Sequence, residues 1–132
     1  MRYATRIELT SKTIKTIFGI AAAYDIVLGI VFGLFYRTIY DRFGATLPNH
    51  AGYVQLPALF IVVFGIGFWM VARDPKSNIG IVTLGILMKL SFCAVVFGHL
   101  LFGKSLPFFV PFAVIDLLFA LVFARAYVEL AK

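Results

Sequence analysis

Charge is scarce in this chain. Only 14% of its 132 residues are Asp, Glu, Lys or Arg, where a water-soluble domain carries about 25%, so the polar surface needed to cover a soluble globule is missing. Acidic residues are scarcer still, with 6 against 12 basic ones. Cysteine occurs once, at Cys93, which excludes an intramolecular disulfide and with it a disulfide-stapled secreted scaffold. Polar low-complexity stretches and long linkers are absent, which excludes disorder. Catalytic signatures are absent as well: there is no HExxH, Gly-rich phosphate loop or CxxC, and Ser91 stands in no nucleophile elbow. His50 and His99 come without ligand-spacing motifs, so neither a metal nor any other cofactor is expected, and the chain reads as non-enzymatic.

What is abundant is apolar. Hydrophobic residues make up 62% of the chain, aromatics 17% with 15 Phe, and mean hydropathy is +1.00. Four stretches, 17–36, 56–72, 79–102 and 107–127, reach or approach the ~20 apolar residues that a membrane-spanning helix requires. The second gains length if Tyr53 to Gln55 join it, with Pro57 then accommodated in its first turn. The reading is a single all-α domain, an integral membrane four-helix transmembrane bundle. The first span is too long for the h-region of a signal peptide and is followed by no small-residue cleavage site, so it is expected to stay in the protein.

The basic residues lie singly between apolar runs, a pattern unsuited to nucleic acid and well suited to setting topology. Eight (Arg2, Arg6, Lys12, Lys15, Arg73, Lys76, Arg125, Lys132) fall on one side of the four spans, three (Arg37, Arg42, Lys104) on the other, and Lys89 lies within a span. The positive-inside rule then places both termini in the cytoplasm. Two amphipathic segments flank the first span. Tyr3, Ile7, Ile14 and Ile17 form an apolar stripe leading into it, and Tyr36, Ile39, Tyr40 and Phe43 form a second, which predicts a short interfacial helix over 36–44 ended by Gly44 as its C′ cap.

Three ionisable residues stand near the centres of their spans: Asp25, Lys89 and Asp116. A charge at the bilayer midplane costs at least about 2.5–3.5 kcal/mol, so all three are expected to turn inward and meet. Asp25, Gly29 and Gly33 share one helix face, and so do Gly85, Lys89 and Cys93, so small packing residues flank each charge and permit close helix approach. Two carboxylates and one ammonium do not balance. Either one Asp holds a proton or the two share one as a coupled pair. Such a cluster reads as a clamp that fixes helix order, as a site for a polar ligand or partner, or as part of a proton or solute pathway. Gln55 and Tyr53, at the mouth of the second span, are candidate ligand-binding residues, although Gln55 reads equally as a cap at the membrane interface. The Asp74-Pro75 step separates the second and third spans, because the residue before proline is pushed out of helix.

Several of these residues, taken in order, carry a resemblance. Tyr24-Asp25 followed by Gly29, Gln55 opening the second span, Ala72 to Pro75, Gly85 with Lys89, Leu106-Pro107 and Asp116 together resemble a group of small four-helix bacterial membrane proteins. The size and four-span plan also resemble DoxX-like proteins in architecture. The resemblance implies a bacterial inner-membrane bundle; its expected partners are the lipid bilayer and other membrane subunits or a second copy of the chain. Asp25 stands where that group carries Asn, which adds a second buried carboxylate. The resemblance supplies no function; the little soluble mass and the 15 Phe, suited to lipid and helix contacts, lead to the expectation of an accessory or interaction subunit able to hold a lipid or quinone-like molecule, with a proton-coupled transporter or channel subunit using Asp25, Lys89 and Asp116 as the alternative.

Overall fold

The computed structural model describes residues 9–103 and 107–132; the 3–7 part of the N-terminal stripe and Lys104 to Leu106 lie outside the described residues. Four helices form: α1 (Ser11–Arg42), α2 (Gly52–Arg73), α3 (Ile79–Leu101) and α4 (Val110–Leu130). Each is long and apolar enough to cross a bilayer, so the protein is an all-α, multi-pass membrane bundle. Residues from the start of α1 (Ile14, Phe18), the end of α2 (Phe68, Val71), the start of α3 (Val82) and the end of α4 (Phe123, Ala126) share one buried cluster. The helices therefore alternate in direction. We call the end where α1 begins and α4 finishes the terminal face, and the opposite end the far face.

Local chemistry accounts for the helix limits. Thr10 caps α1 by accepting the Thr13 N–H at 3.1 Å. At the other end of α1, Gly44 takes φ +67°, the Ala45 N–H reaches the Tyr40 carbonyl at 2.9 Å and the Gly44 N–H reaches Asp41 at 3.3 Å. This paired pattern is a Schellman cap, which needs the left-handed conformation that glycine adopts without strain. The 36–42 stretch is helical as its periodicity predicts, but it continues α1 rather than standing apart. Only Phe35 (φ −118°, ψ 22°) breaks the helical geometry between them.

Helix α2 starts at Gly52, whose N–H donates to His50 Nδ1 at 2.9 Å, so Tyr53 to Gln55 do join it. Pro57 falls one turn deeper than the sequence spacing suggests, and its missing N–H leaves the Tyr53 carbonyl without a helical donor. At the α2–α3 turn, Asp74 leaves the helical region (φ −149°, ψ 87°) ahead of Pro75. Asn78 Nδ2 then donates to the Met70 and Asp74 carbonyls at 3.2 and 2.9 Å, tying the turn back to the end of α2, where the Met70 carbonyl also accepts the Asp74 N–H at 3.0 Å.

Packing differs between the two halves. Toward the terminal face the core is solid: Phe18, Phe68 and Phe123 are fully buried, with ring centroids of Phe18 and Phe123 4.3 Å apart and of Phe68 and Phe123 5.0 Å apart. Helices α1 and α2 touch through glycine. A Cβ on Gly29 would stand 2.6 Å from the Ala58 carbonyl oxygen, and one on Gly65 would stand 3.0 Å from the Ile26 nitrogen. Apolar helices gain little from leaving lipid for each other, so such backbone contact supplies the dispersion energy that holds them together. Toward the far face the bundle loosens into an aromatic-walled cavity.

Candidate functional site

The three midplane residues meet between α1, α3 and α4. Lys89 Nζ donates to Asp25 Oδ1 at 2.8 Å and to Asp116 Oδ1 at 2.9 Å. Lys89 and Asp25 are each 1% exposed, and Asp116 is buried as well. The rest of the ammonium faces rings: its nitrogen lies 5.4, 5.7 and 5.1 Å from the centroids of Tyr24, Phe68 and Phe119. Two carboxylates and three π-faces thus replace the hydration shell of Lys89. Asp25 Oδ2 and the Tyr24 hydroxyl, both buried, have no hydrogen-bond partner among the described residues. With two acids against one base, the cluster has room for one more proton, which the two carboxylates share as a coupled pair, and Asp25 Oδ2 is a buried oxygen free to accept it.

The small residues around the cluster serve different purposes. Gly85 makes room for Phe68, since a Cβ there would stand 2.5 Å from that ring, the same ring that faces Lys89. Cys93 donates through Sγ to the Ala113 carbonyl at 3.2 Å and ties α3 to α4. Gly29 lies in backbone contact with α2, whereas Gly33 does not, a Cβ there finding its nearest neighbour at an ordinary 3.6 Å.

Between the charge layer and the far face lies a cavity of about 500 Å3, walled mainly by α2 with contributions from the other helices. Phe32, Phe64, Phe92, Phe109 and Phe112 line it, Tyr40 and Tyr53 stand toward its far-face end, and Met88 adjoins Lys89 at its depth. Residues of α2 from Tyr53 to Phe64 border it, a rise of about 16 Å along the helix axis. The volume falls within the roughly 300–1,000 Å3 typical of small-molecule sites, and the lining is apolar and aromatic. Tyr53 belongs to the rim and is 68% exposed; Gln55 is exposed and does not line the cavity. His50 is engaged locally, stacking edge-on to Tyr53 at 5.9 Å besides accepting from Gly52.

Sequence reasoning missed the ring cage and the cavity wall. Phe119 was within reach, three residues from Asp116 on the same helix face, and Tyr24 adjoins Asp25. No comparable signal marks Phe68 or the cavity residues, which share their composition with every lipid-facing stretch.

Fold and site together define a small multi-pass membrane protein with an ionic layer buried between a solid half and a hollow half. Set against protein-family models, curated proteins and solved structures, the chain has no match, so its function is argued from its own geometry.

Proposed function

We propose that this protein is a small, non-enzymatic accessory subunit of a bacterial inner membrane that holds a lipid or quinone-like molecule in its far-face cavity. The observation that carries this reading is the aromatic cavity beside the buried ionic layer. Rings on several helices suit a flat headgroup or an isoprenoid or acyl chain, and the Tyr53 carbonyl with the Tyr40 and Tyr53 hydroxyls offers polar contacts near the mouth. The ionic layer fixes the relation of α1, α3 and α4, so the cavity is held open in advance of its occupant. Connections between the helices are short, which leaves little mass outside the bilayer for a catalytic domain and favours a role alongside other membrane subunits.

Purified from native membranes in mild detergent, the protein is expected to retain one lipid- or quinone-sized molecule in native mass spectrometry. Ile61→Trp, which fills the cavity from α2, is expected to lower that occupancy at least tenfold while leaving thermal stability within a few degrees of the parent. A parent protein that carries nothing, or a variant that retains the molecule equally, sinks the reading.

The excess of basic residues at the terminal face supports cytoplasmic termini. A phosphatase active only after export, fused to either end, is expected to stay silent. Activity at either end overturns that orientation.

A second reading is favoured by the unpartnered Asp25 Oδ2 and Tyr24 hydroxyl: a proton-coupled transporter or channel subunit, for which these atoms supply an acceptor in the middle of the membrane. Proteoliposomes containing the protein would then pass protons faster than empty vesicles, and Asp25→Asn would abolish the difference. Equal rates reject it.

A further inference from the structure

We infer that the cleft at the terminal face is a headgroup site for an anionic phospholipid, with Lys15, Arg73 and Lys76 receiving the phosphodiester. The cleft encloses about 380 Å3 between the first turns of α1, the α2–α3 turn and the last turn of α4. Three cations line it, and none of them has a carboxylate within salt-bridge distance among the described residues. The two carboxylates in the same cleft are otherwise engaged. Glu129 accepts from Lys132 at 2.9 and 3.1 Å and from Arg125 at 3.5 Å, while Asp74 Oδ1 accepts the Ser77 N–H at 3.3 Å. With three cations against two carboxylates, one of which is already paired with Lys132 and Arg125, the cleft keeps an excess of positive charge that a bound anion offsets.

Depth and shape indicate which anion. The Arg73 guanidinium lies 5.0 Å over the ring of Trp69, which is half exposed on the outside of α2. Tryptophan at a helix end sits at the level of lipid headgroups, so Arg73 stands where membrane phosphates lie. The ring engages the guanidinium from one side, and the N–H groups of an arginine can fork a phosphate. Leu9 and Leu130, both half-buried, give the cleft an apolar flank, which suits the glycerol and first methylenes of a lipid and offers nothing to a free ion. The site is separate from the far-face cavity and stands or falls independently of it.

The test uses the intact protein in neutral detergent, with its melting temperature followed as phosphatidylglycerol, phosphatidylcholine or inorganic phosphate is added. Phosphatidylglycerol is expected to raise the melting temperature saturably, phosphatidylcholine and phosphate to leave it unchanged. Each membrane-surface cation contributes about fivefold to anionic-lipid binding, so Arg73→Gln should shift the midpoint of the titration about fivefold and the Lys15→Gln, Arg73→Gln, Lys76→Gln triple on the order of a hundredfold. All three residues are exposed, so the variants keep the packed core. An equal response to phosphatidylcholine means nonspecific lipid stabilisation, and an equal response to phosphate means a free-anion site; either overturns the proposal. So does a triple variant that titrates like the parent.

Discussion

Lys89→Met is expected to destabilise the bundle more than replacing all three buried charges together as Asp25→Asn, Lys89→Met and Asp116→Asn. In the single variant two carboxylates remain in the layer without the ammonium that bridges them at 2.8 and 2.9 Å. They must take up protons or admit water. The rings of Tyr24, Phe68 and Phe119, which face the ammonium, offer the carboxylates no donor in its place. Breaking a buried pair costs about 3–5 kcal/mol in soluble proteins. In a bilayer about 1–3 kcal/mol is expected, because polar groups of the unfolded but inserted chain also find partners. The triple variant leaves neutral amides and a thioether of similar size, so its melting temperature in detergent should fall between those of the parent and Lys89→Met. A Lys89→Met protein that melts with the parent would show that the ionic layer contributes nothing to the fold.

The second large effect is expected at glycine, and it separates two residues of the same motif. Gly29→Ala places a methyl 2.6 Å from the Ala58 carbonyl oxygen and 3.1 Å from the Val62 nitrogen, so α1 and α2 have to move apart along their closest contact. Overpacking of this kind costs about 1–3 kcal/mol. Gly33→Ala meets only the Ala58 methyl, at 3.6 Å, and should change stability by less than about 0.5 kcal/mol. Melting curves of the two variants side by side decide the matter, and equal losses would mean that the α1–α2 contact is not governed by backbone approach.

The difference between these glycines also shows how far the sequence could be read. Spacing placed Gly29 and Gly33 on the face of Asp25, but spacing alone cannot tell at which of two successive turns the helices cross. Gly65, the residue on the α2 side of that crossing, carried a readable sign: it lies seven residues from Ala58, on the same face. The common level of Asp25, Lys89 and Asp116 could be counted directly, because each lies near the centre of its apolar run and the cost of burying charge in lipid leaves inward pairing as the economical arrangement. Asp74-Pro75 and Gly44 were legible because each acts through backbone sterics that need no tertiary partner. The continuation of α1 past Phe35 was hidden for the opposite reason. Aromatic residues at helical spacing look the same whether they open a new helix or extend an old one, and one residue's backbone angles decide between the two. The cavity left no trace either, since a phenylalanine facing a void and one facing an acyl chain occupy the same kind of apolar stretch.

The way the charges are divided among the helices bears on how the protein is made. Helices α1 and α2 join as one hairpin through Gly29 and Gly65, while α3 and α4 join as another through Cys93 with Ala113 and Lys89 with Asp116. The second hairpin carries its own counter-ion and enters the membrane electrically balanced in its middle. The first, synthesised earlier, carries Asp25 alone, and its carboxylate has no ammonium to pair with until α3 is in place. The contact between the two hairpins thus carries an ion pair as well as apolar packing, because Lys89 of the second reaches Asp25 of the first at 2.8 Å.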